Sequence, residues 1–427
     1  MQTSAYAAMR AEGRGHGEGE GEDGGARFGT IRRGSAEQSH SNIMFGGKYL
    51  LKLFRRLDQG VSPDFEIGRF LTERTGFAHV PKTLGQLEHQ RSRYGNTSLA
   101  LLQTLVPNQG QGWEYILGVL GRYYEQAASE QHRLERIETR SCPLFELGEA
   151  EPPPDIFEVV GAALRSAAVL GTRTGEMHLA LASDPDDPDF APERLAAEEF
   201  DEMASALREN ARKTFATLRA RLDTLAEHLR PLAERVLARG PMLVEQVGRF
   251  PADRDDLVKT RIHGDYHLGQ VLWAENDFVI LDFEGEPGRT MAERRAKRSP
   301  LRDVASMLRS FDYAAHSELL SYTQSHREDF ERLEPWAQIW RTWTSAAFLR
   351  EYRRAVAPAG LLPSDSGVSC RLLDFFVLEK TLFELQYELN YRPDWVSIPM
   401  LGILHLIDPS SDSAPSPEPD PESVTGS

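Results

Sequence analysis

The sequence predicts an α+β protein of two lobes, a small β-rich N-terminal lobe followed by a larger helical C-terminal lobe. Short apolar runs separated by Gly and Ser turns lie between residues 28 and 106, which is typical of antiparallel strands. From Trp113 onward apolar residues recur at i, i+3 and i+4, the period of amphipathic helices. Residues 261–284 interrupt the helices with two short apolar strands. This order predicts an N-lobe, a hinge and a helical lobe that contains a β-ribbon.

Composition sets the outer bounds. The 427 residues are 40% hydrophobic and 27% charged, as in soluble globular proteins. A formal net charge of −16 argues against nucleic acid or an anionic membrane as the main partner. No apolar run approaches the length of a membrane span, and the two cysteines, Cys142 and Cys370, fit idle thiols in a reducing compartment. We therefore expect a cytoplasmic protein.

The composition changes along the chain, and these changes divide it into four segments. We expect a Gly/Glu-rich disordered arm at 1–26 and a Pro/Ser/acid-rich disordered tail at 408–427. Between them we expect an N-lobe at 27–106 and a helical C-lobe at 107–407 that contains the β-ribbon.

Three strands are predicted at the start of the N-lobe, at 28–33, 42–45 and 48–54. The loop between the first two contains Ser39 and Ser41 and is rich in small polar residues. Such a loop can offer backbone N–H groups and hydroxyls to a phosphate. It lacks the glycines of a kinase glycine-rich loop, so an ordinary hairpin is the alternative.

Lys52 lies in the third strand, between Leu51 and Leu53, and a helix follows it. Ser62 can cap this helix, Pro63 suits its first turn and Gly76 is expected to end it. Glu66 falls in the first turn, so a strand Lys paired with a helix Glu, which holds ATP phosphates in kinases, is one interpretation. A lysine that points to solvent is the other.

A continuous apolar strand at 97–106 ends in Pro107-Asn108-Gln109-Gly110, which fits the last N-lobe strand and a hinge. We expect Gln103, Leu105 and the backbone near Thr104–Val106 to meet adenine. Beyond the hinge, helices are predicted at 113–139, 155–182, 193–239, 301–327, 333–356 and 368–389. His178, in the second of these, is expected to be a packed core residue rather than a ligand.

The ribbon carries the chemistry. Asp265 follows a tight His263-Gly264 corner, Gln270 precedes the first strand, and Asp282 ends the second. Two carboxylates with an amide between them can divide the work of phosphoryl transfer, one for the hydroxyl and one for a cation. A plain β-hairpin with surface acids is the alternative.

This spacing resembles the protein-kinase catalytic loop, in which an Asn lies five residues after the Asp of His-x-Asp and a metal-holding Asp follows on the next strand. By that resemblance Asp265 would be the base and Gln270 would replace the Asn. Asp282, in Asp-Phe-Glu instead of Asp-Phe-Gly, would hold the metal.

Longer phrases resemble bacterial maltokinases, a family with an aminoglycoside-phosphotransferase-like and protein-kinase-like fold. The resemblance runs from about Glu37 to Leu406. It rests on YLLKLFRR (49–56), VPNQG (106–110), HGDYHLGQVL (263–272), DFEGEP (282–287), SPLRDVASMLRSFDYA (299–314) and YELNYRPDW (387–395).

The resemblance implies transfer of the γ-phosphate of ATP, with Mg²⁺, to the anomeric hydroxyl of maltose, giving maltose 1-phosphate for α-glucan (glycogen) synthesis. Members are frequently fused behind trehalose synthase, which makes that enzyme a candidate partner and this chain comparable with the kinase part of such a fusion. It also implies roles for individual residues. Asp265 would be the base, Gln270, Asp282 and the neighbouring Glu284 would hold Mg²⁺, and Lys52 oriented by Glu66 would hold phosphates.

The implied acceptor pocket lies where a helix is broken at Pro393. Aromatic faces and planar polar groups bind sugars, and the expected lining is Tyr387, Asn390, Arg392, Asp394 and Trp395. A helix C-terminal cap with a packed Trp is the alternative for these residues. The basic run from Arg289 to Arg302 could attract an anionic product or nucleotide, or form a solvated face. Two other functions stay open, a kinase for glucosamine or an aminoglycoside, and a non-catalytic kinase-like module.

Overall fold

The N-terminal part of the computed structural model is a five-stranded antiparallel sheet. The structure describes residues 30–34, 40–91, 95–129, 144–248, 256–324 and 328–407. The predicted arm and tail, Ser39 and Cys142 lie outside the described residues. The strands are β1 (Ile31–Arg33), β2 (His40–Phe45), β3 (Tyr49–Phe54), β4 (Thr83–Arg91) and β5 (Gly95–Thr104), with helix α1 (Pro63–Glu73) between β3 and β4. Their order in the sheet is β1-β2-β3-β5-β4.

Strand β4 is absent from the sequence prediction. Its residues, TLGQLEHQR, are mostly polar. Its pairing with β5 shifts register between Thr83 and Gly85 and again between Leu87 and Glu88. Because each shift breaks the alternation of inward and outward side chains, no period of two is visible along this strand.

Helix α1 follows the prediction in its buried face and in its start at Pro63, but not in its capping hydrogen bond or its C-terminal end. Phe65, Ile67, Phe70 and Leu71 are buried, as the spacing predicts. The side chain of Ser62 makes no capping hydrogen bond, and the helix ends at Glu73 rather than at Gly76.

Helices dominate the remainder. They are α2 (Gly112–Ser129), α3 (Leu144–Leu147), α4 (Pro154–Leu181), α5 (Ala197–Arg221), α6 (Arg230–Val247), α7 (Met291–Arg295), α8 (Leu301–Tyr322), α9 (Glu328–Val356), α10 (Ser366–Tyr391) and α11 (Ser397–Ile407). Two-stranded sheets are formed by β6 (Glu193–Arg194) with β7 (Val258–Lys259), and by β8 (Val271–Ala274) with β9 (Asp277–Ile280). The predicted α+β fold with a sheet-rich first part and a helical second part is confirmed; the lobe bounds stay predictions.

The single helix predicted at 193–239 is wrong. Residues 193–194 form β6, and the helical stretch divides into α5 and α6 around two short 3₁₀ turns, Leu222–Thr224 and Glu227–Leu229. Pro231 explains the second start, since it lacks a backbone N–H and is therefore favoured in the first turn of a helix.

The core of the helical part is built on α4 and α9. Their backbones touch at Gly171, where a Cβ would collide with the carbonyl of Phe348. His178 on α4 is fully buried between Tyr352 and Asp303, so its prediction as a core residue is confirmed. Within the described residues, the helices are too short or too polar to cross a membrane.

Candidate active site

The β8–β9 ribbon brings Asp265 and Asp282 to the same end. Val271 pairs with Ile280 and Ala274 with Asp277, so the residues before β8 and after β9 are neighbours. Glu275 and Asn276 close the ribbon with φ angles of 53° and 64°, as in the two-residue turns that favour Asn.

A buried carboxylate holds the corner that carries Asp265. Asp303, on α8, accepts hydrogen bonds from the backbone N–H of His263 at 2.7 Å and of Gly264 at 2.9 Å. Nε2 of His178 lies 3.1 Å from the same carboxylate. Burial would raise the pKa of Asp303, but His178 outweighs it and the pKa is lowered. Nε2 of His263 lies 2.7 Å from the Leu281 carbonyl, which joins the corner to the strand that delivers Asp282.

Gly264 itself has a conformation that only glycine adopts without strain. Its φ is +84°, and a Cβ there would lie 3.3 Å from the Cα of Gly285 (φ +77°). The corner therefore touches the segment that follows Asp282.

Asp282 adopts a strained backbone and pairs with Lys52. Its φ is +65°, unusual for a residue with a side chain. Its Oδ1 lies 2.7 Å from Nζ of Lys52. Burial would raise the pKa of Asp282, but the charge and hydrogen bond of Lys52 lower it to about 2. Burial would lower the pKa of Lys52, but Asp282, Asp64 and Glu284 raise it, so the pair is ionised.

Asp64, and not Glu66, is the helix partner of Lys52. Asp64 Oδ2 accepts from Lys52 Nζ at 2.6 Å, and Oδ1 accepts from the backbone N–H of Phe283 at 3.0 Å. Asp64 is completely buried, and it therefore links the sheet, helix α1 and the segment after β9.

The predicted Lys52–Glu66 pair is wrong. Glu66 instead binds Arg261, at 2.8 Å, and Arg295, whose Nε lies 2.9 Å away. Residues i and i+2 of a helix are about 200° apart around its axis, so Asp64 and Glu66 face different sides. Burial would raise the pKa of Glu66, but the two arginines lower it.

A group of possible metal ligands surrounds Asp282. One donor atom each from His40, Asp282 and Glu284 lie within 4.8 Å of one another. Glu284 Oε1 is 3.4 Å from Nζ of Lys52 and 3.3 Å from Nδ1 of His40. Carboxylate oxygens fit Mg²⁺, while an imidazole is more typical of transition metals, so the carboxylates of this donor set fit the predicted ion.

Gln270 was predicted from the sequence as a metal ligand, whereas His40 was not, and the two residues lie in different elements. Gln270 is tied to this segment through its carbonyl, which accepts from the N–H of Leu281 at 2.9 Å. His40 begins β2 and is buried; the sequence showed it only as part of a polar loop.

Asp265 lies between a lysine and a histidine for which no role was predicted from the sequence. Lys380 Nζ, on α10, is 4.0 Å from Oδ1, and Nε2 of His267 is 3.9 Å from Oδ2. Nδ1 of His267 accepts from the N–H of Gly269 at 3.0 Å, which leaves the ring proton on Nε2. Partial burial lowers the pKa of His267, although the charge of Asp265 acts in the opposite direction, and its Nε2 faces the carboxylate.

Some of the groups predicted to contact the nucleotide already make hydrogen bonds within the protein. Leu105 N–H donates to Lys48 O at 2.7 Å, so an adenine contact there would use other atoms. The side chain of Gln103 is buried. The Ser41 hydroxyl accepts from Nε of Arg55 at 3.2 Å.

The predicted acceptor residues gather at the end of α10, but not all face one way. The Arg392 guanidinium lies over the rings of Tyr387 (5.2 Å) and Trp395 (5.1 Å). Asn390 accepts from Nη2 of Arg221 at 3.0 Å instead, and Asp394 is exposed in the turn.

A sequence profile now identifies the family. The phosphotransferase enzyme family (APH) matches residues 30–336 of the 427. The chain belongs to the phosphotransferase enzyme family. Asp265, Asp282 and Lys52 all lie within the matched residues.

Two curated relatives of this phosphotransferase are named glucosamine kinases. The one from Streptacidiphilus jiangxiensis is 25% identical over 380 residues, covering 87% of this chain and 72% of the relative. The one from Mycolicibacterium smegmatis is 23% identical over 381 residues, covering 88% and 79%.

Solved structures agree on the fold of this phosphotransferase. A glucosamine kinase in complex with glucosamine, ADP and inorganic phosphate has a TM-score of 0.64 at 20% identity, covering 95% of this chain and 82% of that chain. Another crystal form has a TM-score of 0.65 at 21% identity with the same coverage.

Proposed function

We propose that the protein is an ATP-dependent sugar kinase that transfers the γ-phosphate of ATP to a hydroxyl of a small carbohydrate. One observation carries the proposal. Lys52 is held 2.7 Å from Asp282, and Asp265 lies at the same end of the ribbon as Asp282. A phosphate-binding cation, a metal-binding acid and a base for the acceptor hydroxyl are the parts that phosphoryl transfer needs.

Each residue has a distinct role in this proposal. Lys52 neutralises phosphate oxygens while Asp64 fixes its position. Asp282 and Glu284, with His40 beside them, would hold Mg²⁺, and this ion would supply positive charge that offsets the charge of the phosphates. Asp265 orients the acceptor hydroxyl and takes its proton late, because a carboxylate is a weak base for a hydroxyl. Lys380 and His267 keep this carboxylate in place.

Glucosamine is the acceptor we favour. The two curated relatives are named for it, and the end of α10 offers a carboxylate that suits an amino group. Glu388 is buried; its Oε1 accepts from Arg392 at 2.7 Å and from the Tyr313 hydroxyl at 3.1 Å. Its Oε2 is buried with no hydrogen-bond partner among the described residues. Burial raises the pKa of Glu388, against the effects of Arg392 and Tyr313. An ammonium group brought to this oxygen would therefore stabilise the ionised carboxylate.

Maltose, the acceptor that the sequence resemblance implies, is the second candidate. Phe383, Tyr387 and Tyr391 project from successive turns of α10 and are 45%, 43% and 72% exposed. Lys380, beside Asp265, lies about 10 Å along the helix before Tyr387. An aromatic row of this length suits the two rings of a disaccharide. The partnership with trehalose synthase and a role in α-glucan synthesis belong to this candidate.

A phosphorylation screen tests the proposal. Purified protein would be incubated with Mg-ATP and glucosamine, maltose, trehalose or kanamycin, with product detected as sugar phosphate and as released ADP. Product from glucosamine alone supports the first candidate, and product from maltose alone supports the second. The Asp265→Asn variant provides the blank. ATP binding without turnover on any sugar would favour the non-catalytic module, and absence of ATP binding would overturn the proposal.

A further inference from the structure

A cavity of about 130 Å³ lies beside the Asp265 corner, with Ile262 and Gly264 in its lining. Its walls come from the corner, the segment that follows Asp282, and helices α5, α8 and α10. Its lining includes Gly264, Gly285, Arg289, Arg298, Arg302 and Lys380. The lining does not include Lys52, Asp64 or Asp282, so the cavity is separate from the cluster proposed to bind ATP phosphates.

Basic side chains converge on this cavity, and most have acidic partners. Arg302 lies 3.0 Å from Glu379, Arg289 lies 2.8 Å from Glu286, and Arg294 lies 2.6 Å from Asp58. The acid Asp303 also borders the cavity, but its oxygens accept from the corner backbone.

Arg298 differs from these arginines in the contacts of its guanidinium. Its backbone is fixed by two hydrogen bonds with Thr260, at 2.8 and 2.9 Å. Its guanidinium makes no ion pair or hydrogen bond with other residues in the part of the chain that the structure describes. Burial, and then the like charges of Arg302 and Arg289, lower its pKa, and the charges of Glu379 and Glu293 offset only part of this effect. A partly buried arginine held beside other arginines is relieved by an anion.

We propose that this cavity is a binding site for a phosphate group, held by Arg298 together with Arg302 and Lys380. A guanidinium presents paired N–H donors that match the oxygens of a phosphate, and a lysine adds a point charge. The volume is several times the minimum needed to hold one water molecule, which leaves room for an oxyanion with part of its hydration shell. The phosphate group comes either from inorganic phosphate or from a sugar phosphate.

The position of this site links it to the catalytic corner. Gly264 and Gly285 form one wall, and Lys380 lies 4.0 Å from Asp265. A bound phosphate would therefore contact both sides of the place where the corner meets the segment after Asp282. Phe383, which begins the aromatic row proposed for maltose, also lines the cavity, so the site adjoins the proposed acceptor site and the inference rests on the proposed function to that extent.

Binding should be measured on the full chain saturated with Mg-ADP, so that the nucleotide site is occupied. Inorganic phosphate would be titrated calorimetrically at constant ionic strength. We expect saturable binding that Arg298→Ala weakens at least tenfold and Arg298→Lys restores in part. Arg212→Ala, which removes an exposed arginine paired with Glu209 on α5, should leave the affinity unchanged. Lys52→Met, titrated with phosphate without nucleotide, should retain the site.

The results distinguish inorganic phosphate from a sugar phosphate as the ligand, and they test whether the site exists. If glucosamine 6-phosphate and maltose 1-phosphate bind no more tightly than inorganic phosphate, the ligand is the free ion; tighter binding of one that still requires Arg298 identifies a sugar phosphate. Equal phosphate affinity in the wild type and Arg298→Ala, or loss of binding in Lys52→Met alone, would overturn the inference. Circular dichroism and melting of Arg298→Lys and Arg298→Ala without phosphate check that folding is retained.

Discussion

Nζ of Lys52 lies 2.6 Å from Oδ2 of Asp64, a residue that is completely buried in the first turn of α1. The other oxygen of Asp64 holds the backbone of Phe283, directly after Asp282. One short side chain thus fixes both the phosphate-binding lysine and the metal-binding aspartate of the proposed kinase. Glu66, the residue first expected in this place, instead joins α1 to Arg261 and Arg295.

Replacing Asp64 by Asn should weaken both stability and ATP binding. The change leaves the buried Lys52 with one acidic partner fewer at short distance, so we expect a loss of about 3 kcal/mol in the free energy of unfolding. ATP affinity should fall by about tenfold or more. Urea unfolding and calorimetric titration with Mg-ATP measure the two effects.

Glu66→Gln is the matched comparison for that variant. It should lower the free energy of unfolding by roughly 1–3 kcal/mol through loss of a charged partner for two arginines, while ATP affinity changes by less than about threefold. A loss of ATP affinity in Glu66→Gln equal to that in Asp64→Asn would contradict the assignment of Asp64.

Asp265→Asn should abolish most turnover and spare nucleotide binding. Asparagine cannot take the acceptor proton and no longer orients the hydroxyl as an anion does, so kcat should fall by about 10²–10³-fold, or roughly 3–4 kcal/mol. The affinity for Mg-ATP should change by less than about threefold, because Asp265 is not among the groups around Lys52. Single-turnover kinetics measure the first quantity and calorimetry the second. Glu209→Gln, an exposed acid on α5, should leave both unchanged.

Gly264→Ala should slow phosphoryl transfer by straining the corner. An alanine at φ +84° costs about 1–2 kcal/mol, and its Cβ would lie 3.3 Å from Gly285. We expect a lower melting temperature and a lower kcat together.

The control for this variant is Gly118→Ala in α2. Apart from its chain neighbours and the backbone of its own helix, a Cβ at Gly118 meets no atom within 4 Å. The change should therefore raise the free energy of unfolding by up to about 1 kcal/mol through helix propensity. Unchanged kcat and stability in Gly264→Ala would show that the corner tolerates a side chain.

A buried histidine outside the active site should make stability depend on pH. Nδ1 of His316 lies 3.1 Å from Oδ1 of Asp312. Burial would lower the pKa of His316, but Asp312 outweighs it and raises the pKa above its ordinary value of 6.5. Since the folded state binds this proton more tightly than the unfolded state, the stabilisation is complete below pH 6.5 and is lost as the pH rises through the folded pKa.

Thermal unfolding of the wild type and His316→Gln between pH 5.5 and 8.5 checks this. The advantage of the wild type should be largest at the acidic end and should shrink as the pH rises. An advantage that grew with pH would mean that His316 is neutral in the folded protein.

The sequence by itself determined the α+β fold, the ribbon with Asp265 and Asp282 at one end, and Lys52 inside a strand. These features are local, because strand alternation, turn residues and helix period each depend on residues that are close together in the sequence. The tertiary structure alone decided that Asp64 rather than Glu66 meets Lys52, that Asp303 and His178 hold the corner, and that His40 lies beside Glu284. It also placed four arginines and Lys380 around one cavity. Those contacts join residues far apart in the chain, so they depend on how α1, α8 and α10 pack, and no spacing along the sequence records that packing.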